Sequence, residues 1–262
     1  MQMTGVFPFG GLFHLGLVVS FLVSLPQMSA AQGNSGGDTR PAVGGVASLP
    51  DAMLIYSARG VAGSCGENCS EWIAAEGTVY WDGYKRMIAA LDRHAGRTLA
   101  VILNVRGRSD LRAALGLGKI LRERGIEVGV GQTLVDQCGT KSAADCAALK
   151  RTGGPLNASQ TPVEVCDIAC VLVLAGGVRR TMPAATNVVV HGTQIGHRLG
   201  LNVADEIREG VHGRNYEQTK LYLTQMGVNP ELADIIDANY GTSRKTVLSR
   251  ADLVRLRIVT SQ

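Results

Sequence analysis

The sequence predicts an α/β fold with a helical C-terminal appendage, and three observations carry that prediction. Residues 99–103, 111–124 and 126–130 read as strand, helix and strand in succession, a βαβ unit. An apolar segment opens near Ile168, stops at Gly176-Gly177, and is followed past Pro183 by a second apolar run that ends on His191. From Tyr216 onward the apolar spacing is helical, with Gly227 and Gly241 as stops.

The elements follow in order. Residues 53–56 form a first apolar strand, and residues 65–69 a tight polar loop between two cysteines. Residues 72–79 give a second strand with a turn. Residues 82–94 space Tyr84, Met87, Ile88 and Leu91 at helical intervals, with Asp82 as N-cap and Gly96 beyond the last turn. The run at 99–103 is a buried strand, and 104–109 is a polar loop. Ser109 caps the helix that starts near Leu111, which places Leu111, Leu115, Ile120 and Leu121 on one side and ends at Gly125. The crossover from 99–103 to 126–130 is right-handed, giving a parallel sheet covered by helices. In the C-terminal part, residues 216–226 are helical. Asn229 caps a further helix with Pro230 at its first position, and residues 246–248 lead into a last helix at 249–256.

Composition bounds the class. Residues 1–37 carry no Asp, Glu, Lys or Arg, and an apolar core at 15–25 precedes small residues at Ser29 and Ala31. That is the form of a secretory signal, residues 1–31, cleaved after Ala31; the core is shorter than the roughly 20 residues a spanning helix needs. Membrane contact is expected only if this segment stays uncleaved. Residues 32–49, rich in Gly, Ser, Pro and Ala, form a flexible lead-in to one domain at 50–262. All six cysteines, Cys65, Cys69, Cys138, Cys146, Cys166 and Cys170, lie beyond the cleavage point in three local pairs. An even count in an exported chain implies disulfides, although six cysteines allow 15 pairings and the sequence does not choose among them. The CxxxC spacings lack the CxxC and histidine partners of structural zinc, so neither metal nor cofactor is expected. The formal charge is +4 and aromatics make up 5%. Basic residues (Arg122, Arg124, Arg179, Arg180, Arg250, Arg255, Arg257) are interleaved with acids as on a solvated surface, which gives nucleic-acid binding no support.

The order of these motifs resembles the ClpP/crotonase superfamily, and more narrowly the ClpP-like periplasmic proteins of Gram-negative bacteria. The residues carrying the resemblance are Cys65-Gly66-Glu67-Asn68-Cys69-Ser70-Glu71-Trp72, Ala175-Gly176-Gly177, Arg179-Arg180, Pro183 and Val190-His191. The resemblance implies repeated β-β-α units and commonly a homo-oligomer. It also implies a serine nucleophile at the start of the short helix, a histidine base after the next strand, an acid further on, and a glycine loop for the oxyanion. A helix N-terminus and preorganised N–H donors favour the developing negative charge, each donor contributing about 2.7–4 kcal/mol.

Mapped onto this chain, His191 falls at the base position and Ile168 at the nucleophile position, where it has no group that attacks. Gly241 falls near the acid position, with Asp237 close in sequence. The oxyanion-like loop maps to Gly107, Arg108 and Ala169, and Arg108 restricts backbone that a glycine would leave free. Losing the nucleophile alone costs about a millionfold in a triad enzyme. The leading expectation is therefore an exported, catalytically degenerate peptidase homologue that binds a peptide or protein. The alternatives are a hydrolase with a displaced nucleophile such as Cys170, with His191 as base, and a structural subunit. The bland readings stand beside these: His191 as a histidine retained at a strand end, Cys166 and Cys170 as a disulfide or buried pair, Asp167 as a helix cap, and Arg179-Arg180 as a solvated turn rather than an anion site.

Overall fold

A computed structural model describes residues 49–65, 69–191 and 203–260. The expected signal at 1–31, and the 32–49 lead-in apart from Leu49, lie outside the described residues. The fold is mixed α/β. In chain order the elements are β1 (Leu54–Arg59), β2 (Glu71–Gly77), α1 (Gly83–Arg93), β3 (Ala100–Val105), α2 (Leu111–Glu123), β4 (Val128–Val130), β5 (Gln132–Val135), α3 (Ala143–Arg151), β6 (Leu156–Thr161), β7 (Val165–Asp167), α4 (Ile168–Ala175), β8 (Arg180–Thr181), β9 (Asn187–His191), α5 (Asp205–Gln225), α6 (Glu231–Asp237), β10 (Lys245–Leu248) and α7 (Arg250–Arg255). Two strands followed by a helix recur as β1-β2-α1, β4-β5-α3, β6-β7-α4 and β8-β9-α5.

The strands form two sheets. Seven run in the order β5-β6-β1-β2-β3-β4-β8, and three in the order β10-β9-β7. The larger sheet is not purely parallel as expected: β1 pairs antiparallel with β2, and β5 with β6, around a parallel run from β2 through β3 and β4 to β8. Alternation along each strand divides the side chains. Ile73, Ala75, Val101, Leu103 and Val105 join the main core with α1, α2 and α4, while Tyr56, Trp72, Ala74 and Ile102 face a smaller cluster below α3.

The six cysteines form three local disulfides, Cys65–Cys69, Cys138–Cys146 and Cys166–Cys170. Among the described residues no helix is long and apolar enough to cross a membrane.

Several local expectations are corrected. Asp110, not Ser109, caps α2: its side chain accepts from the Arg112 and Ala113 N–H groups, whereas Ser109 Oγ accepts from Val79 N–H. Asp82 precedes α1 but makes no side-chain cap, because its carboxylate pairs with Arg86 one turn on. The Gly176-Gly177 stop does not work through a left-handed residue. A Cβ on Gly176 would collide with the Gly118 backbone, so glycine there lets α4 and α2 touch main chain to main chain.

Arg180 is no solvated residue. It is 3% exposed and donates to the carbonyls of Ala175, Gly177, Met226, Arg257 and Ile258. Arg122 joins it on the Ala175 and Met226 carbonyls. The two guanidiniums sit on the negative end of α4 and fasten the C-terminal tail to it. Burial, with Arg122 adjacent, pulls the Arg180 pKa down to about 10. Arg179 beside it does fit the surface reading, paired with Glu127 in solvent.

Candidate functional site

Three segments converge on a cleft of about 950 Å³. The β3–α2 loop is the first. Arg106 N–H bonds to Gly77 O at 3.0 Å and Asp110 N–H to Val79 O at 2.8 Å, which pins the loop across the end of β2. Gly107 turns it with φ +73°, where a Cβ would lie 2.5 Å from Thr78 Oγ1. Gly107, Arg108, Ser109 and Asp110 line the cleft, continued by Leu111, Arg112 and Leu115 of α2.

The second segment is the start of α4. Asp167 and Ala169 line the cleft, while Ile168 between them is 1% exposed and packed in the main core. Asp167 ends β7 and caps α4, its Oδ1 accepting from Cys170 N–H at 3.0 Å. The Cys166–Cys170 disulfide spans this junction, and both residues are buried. Parallel pairing of β7 with β9 fixes Asp167 opposite Val189, two residues before His191.

The third segment is the C-terminal wall. His191, exposed at the end of β9, pairs in register with Lys245 at the start of β10. Around it stand His212, Asn215 and Tyr216 of α5, Ile236 and Asp237 of α6, and residues 242–245. His212 Nε2 lies 2.7 Å from Asp237 Oδ1, and its ring stacks on Tyr240 at 3.5 Å between centroids and 16° between planes. His212 Nδ1 has no hydrogen-bond partner among the described residues.

The cleft thus brings together His191, Gly107, Arg108, Ala169 and Asp237 from the sequence reading. Ile168 stands at the expected helix start but belongs to the core. Gly241 sits in the turn after α6 with φ +67° and is not a lining residue. The bland reading of Asp167 as a cap holds. Cys170 is tied to Cys166 in a disulfide, and a disulfide sulfur holds no thiolate.

The remaining hydroxyls of the cleft are mostly committed: Ser109 to Val79, Thr219 to Asn215 O, Thr242 to Asn239 O, Tyr80 to Asp51 and Tyr216 to Asp234. Sequence reasoning missed His212 and Tyr240. Residues 205–215 hold two glycines and few apolar side chains, so α5 was expected to start only at Tyr216. A histidine seven residues after Asp205, at the end of a segment rich in charge, is the one signal, and it is weak.

No protein-family model matches the chain, and no curated protein matches it. Among solved structures, the chain is similar to a membrane-bound stomatin-specific protease in complex with a substrate peptide, with a TM-score of 0.44 and 12% identity over 71% of each chain.

Proposed function

We propose that this chain is an exported protein of ClpP/crotonase-like build whose cleft binds a peptide or protein segment without cleaving it. One observation carries the reading: the position that a nucleophile would occupy is Ile168, turned into the core, and the adjoining helix N-terminus is capped by the chain's own Asp167. The Cys170 N–H at that terminus already donates to a carboxylate. The recurring β-β-α units support the build. The three disulfides, together with the apolar leader, support export to the periplasm.

The test is a fluorophosphonate probe on the purified mature protein. No covalent labelling is expected; labelling that disappears in His191→Ala overturns the reading.

A second reading, a hydrolase with a displaced nucleophile, draws on the His212–Asp237 pair. An imidazole held by a carboxylate is the arrangement of a general base, and Ser243 offers an exposed hydroxyl on the same wall. It predicts ester turnover that is lost in His212→Gln.

Self-assembly, the structural-subunit reading, predicts a discrete multimer by light scattering with no ligand in the cleft.

A further inference from the structure

Taken as charges, the cleft is one-sided. Four cations line it, Arg108, Arg112, Arg244 and Lys245, together with three carboxylates, Asp110, Asp167 and Asp237. Each carboxylate already has an internal partner. Asp110 accepts from two N–H groups at the start of α2, Asp167 accepts from one at the start of α4, and Asp237 pairs with His212. A capping carboxylate sits against the positive end of its own helix, so its charge is locally balanced.

The cations are not balanced in this way. Among the described residues none of the four forms an ion pair, and the one side-chain partner the structure gives them is the neutral Asn215 Oδ1, 3.2 Å from Arg112 Nη2. Elsewhere on the surface Arg97 pairs with Glu71, Arg124 with Asp92, Arg179 with Glu127 and Arg255 with Glu231, while Arg59, Arg93 and Arg257 form no ion pair among the described residues, so what sets the cleft apart is that its four cations are gathered on one surface.

We propose that the occupant of the cleft is an acidic peptide segment, its carboxylates held by Arg108, Arg112, Arg244 and Lys245. This rests on the binding reading above and adds the chemistry of the ligand. Charge alone would suit any anion, and two features favour a peptide. Lys245 opens β10, an edge strand of the three-stranded sheet, and among the described residues no strand pairs with its outer side, the arrangement to which an extended chain can add. Apolar side chains, Trp81, Leu115 and Ile236, stand among the cations, which suits alternating acidic and apolar residues better than a bare anion. The volume is at the large end for small-molecule sites.

The experiment measures fluorescence anisotropy of three labelled ten-residue peptides, of alternating Glu and Leu, Gln and Leu, and Lys and Leu, against the mature protein. The Glu peptide is expected to bind at least about tenfold tighter than the Gln peptide. Arg244→Gln with Lys245→Gln is expected to remove about tenfold, two exposed ion pairs at the upper end of their usual strength. Raising the salt should weaken binding in the same direction. Arg108→Gln, on a different segment, repeats the test independently, and circular dichroism confirms that each variant folds.

Equal binding of the Glu and Gln peptides overturns the charge inference and leaves peptide binding intact. Binding of none of the three overturns the peptide reading itself. Displacement of the Glu peptide by a single-stranded oligonucleotide at equal concentration overturns the choice of occupant.

Discussion

Replacing Ile168 by serine puts a hydroxyl back at the helix start, and it is expected to damage the fold without creating an enzyme. Ile168 is fully buried in the main core, so the substitution removes three carbon atoms from packed surroundings. At about 0.8 kcal/mol per methylene the lost transfer energy is ~2.4 kcal/mol. The hydroxyl left without a partner adds about 1–3 kcal/mol, and incomplete collapse of the void keeps the total in the range found for large-to-small core changes, about 3–5 kcal/mol. Against a total stability of about 5–15 kcal/mol, that is a large fraction. The urea midpoint should fall by on the order of 1–2 M. The same variant is then treated with a fluorophosphonate. No adduct should form, because the side chain points into the core and Asp167 occupies the N-terminus of α4. A variant as stable as the parent, or one that labels, refutes the placement of this residue.

Other outcomes follow from the same geometry. Arg180→Met takes a donor from five carbonyls, leaving Ala175 and Met226 with Arg122 alone, and should cost about 3–5 kcal/mol, read as a lowered midpoint with the C-terminal tail more susceptible to protease. Under mild reductant and alkylation, Cys65–Cys69 and Cys138–Cys146, which are partly exposed, should open before the buried Cys166–Cys170, a sequence that mass spectrometry resolves. On acidification the melting temperature should fall in two stages. Burial, with Arg97 nearby, holds His94 below the usual histidine range; the unfolded chain takes up that proton first, so stability drops as the pH passes below about 6.5, and His94→Gln abolishes this stage. Glu71, held down by its hydrogen bond from Arg97, and Asp234 and Asp252, held down by Tyr216 and Ser249, stabilise the fold only above the ordinary carboxylate range, so a second loss comes below about pH 4.

The elements that were legible in the sequence are those whose own residues bury them. The apolar runs behind β3, β4 and β9 and the one-sided helix α2 are placed by hydrophobic period alone. Residues 131–164 went unread because β6 alternates small polar residues and α3 buries none of its side chains; a disulfide to Cys138 ties that helix in place of an apolar stripe. Ile168 and His191 were found at the ends of legible elements. His212 was not, because α5 lacks a coherent apolar face over its first half. Arg180 misled because the sequence displays a charge but not the ring of carbonyls that receives it. The concentration of unpaired cations was equally hidden, since Arg108, Arg112, Arg244 and Lys245 come from segments more than a hundred residues apart.

The main-chain contact between Gly118 and Gly176 has a bearing on how the cleft meets a ligand. It sets the middle of α2 against the C-terminal end of α4, with the buried Tyr222 hydroxyl lodged beside Gly118 and donating to Leu172 O, so the two helices that frame the cleft are held together by main chain and one phenol. Prising them apart would break that contact. Adjustment falls instead to the long arms of arginine and lysine, which swing through many rotamers at little cost. A site built this way tolerates variation in the spacing of a guest's charges far better than variation in their sign.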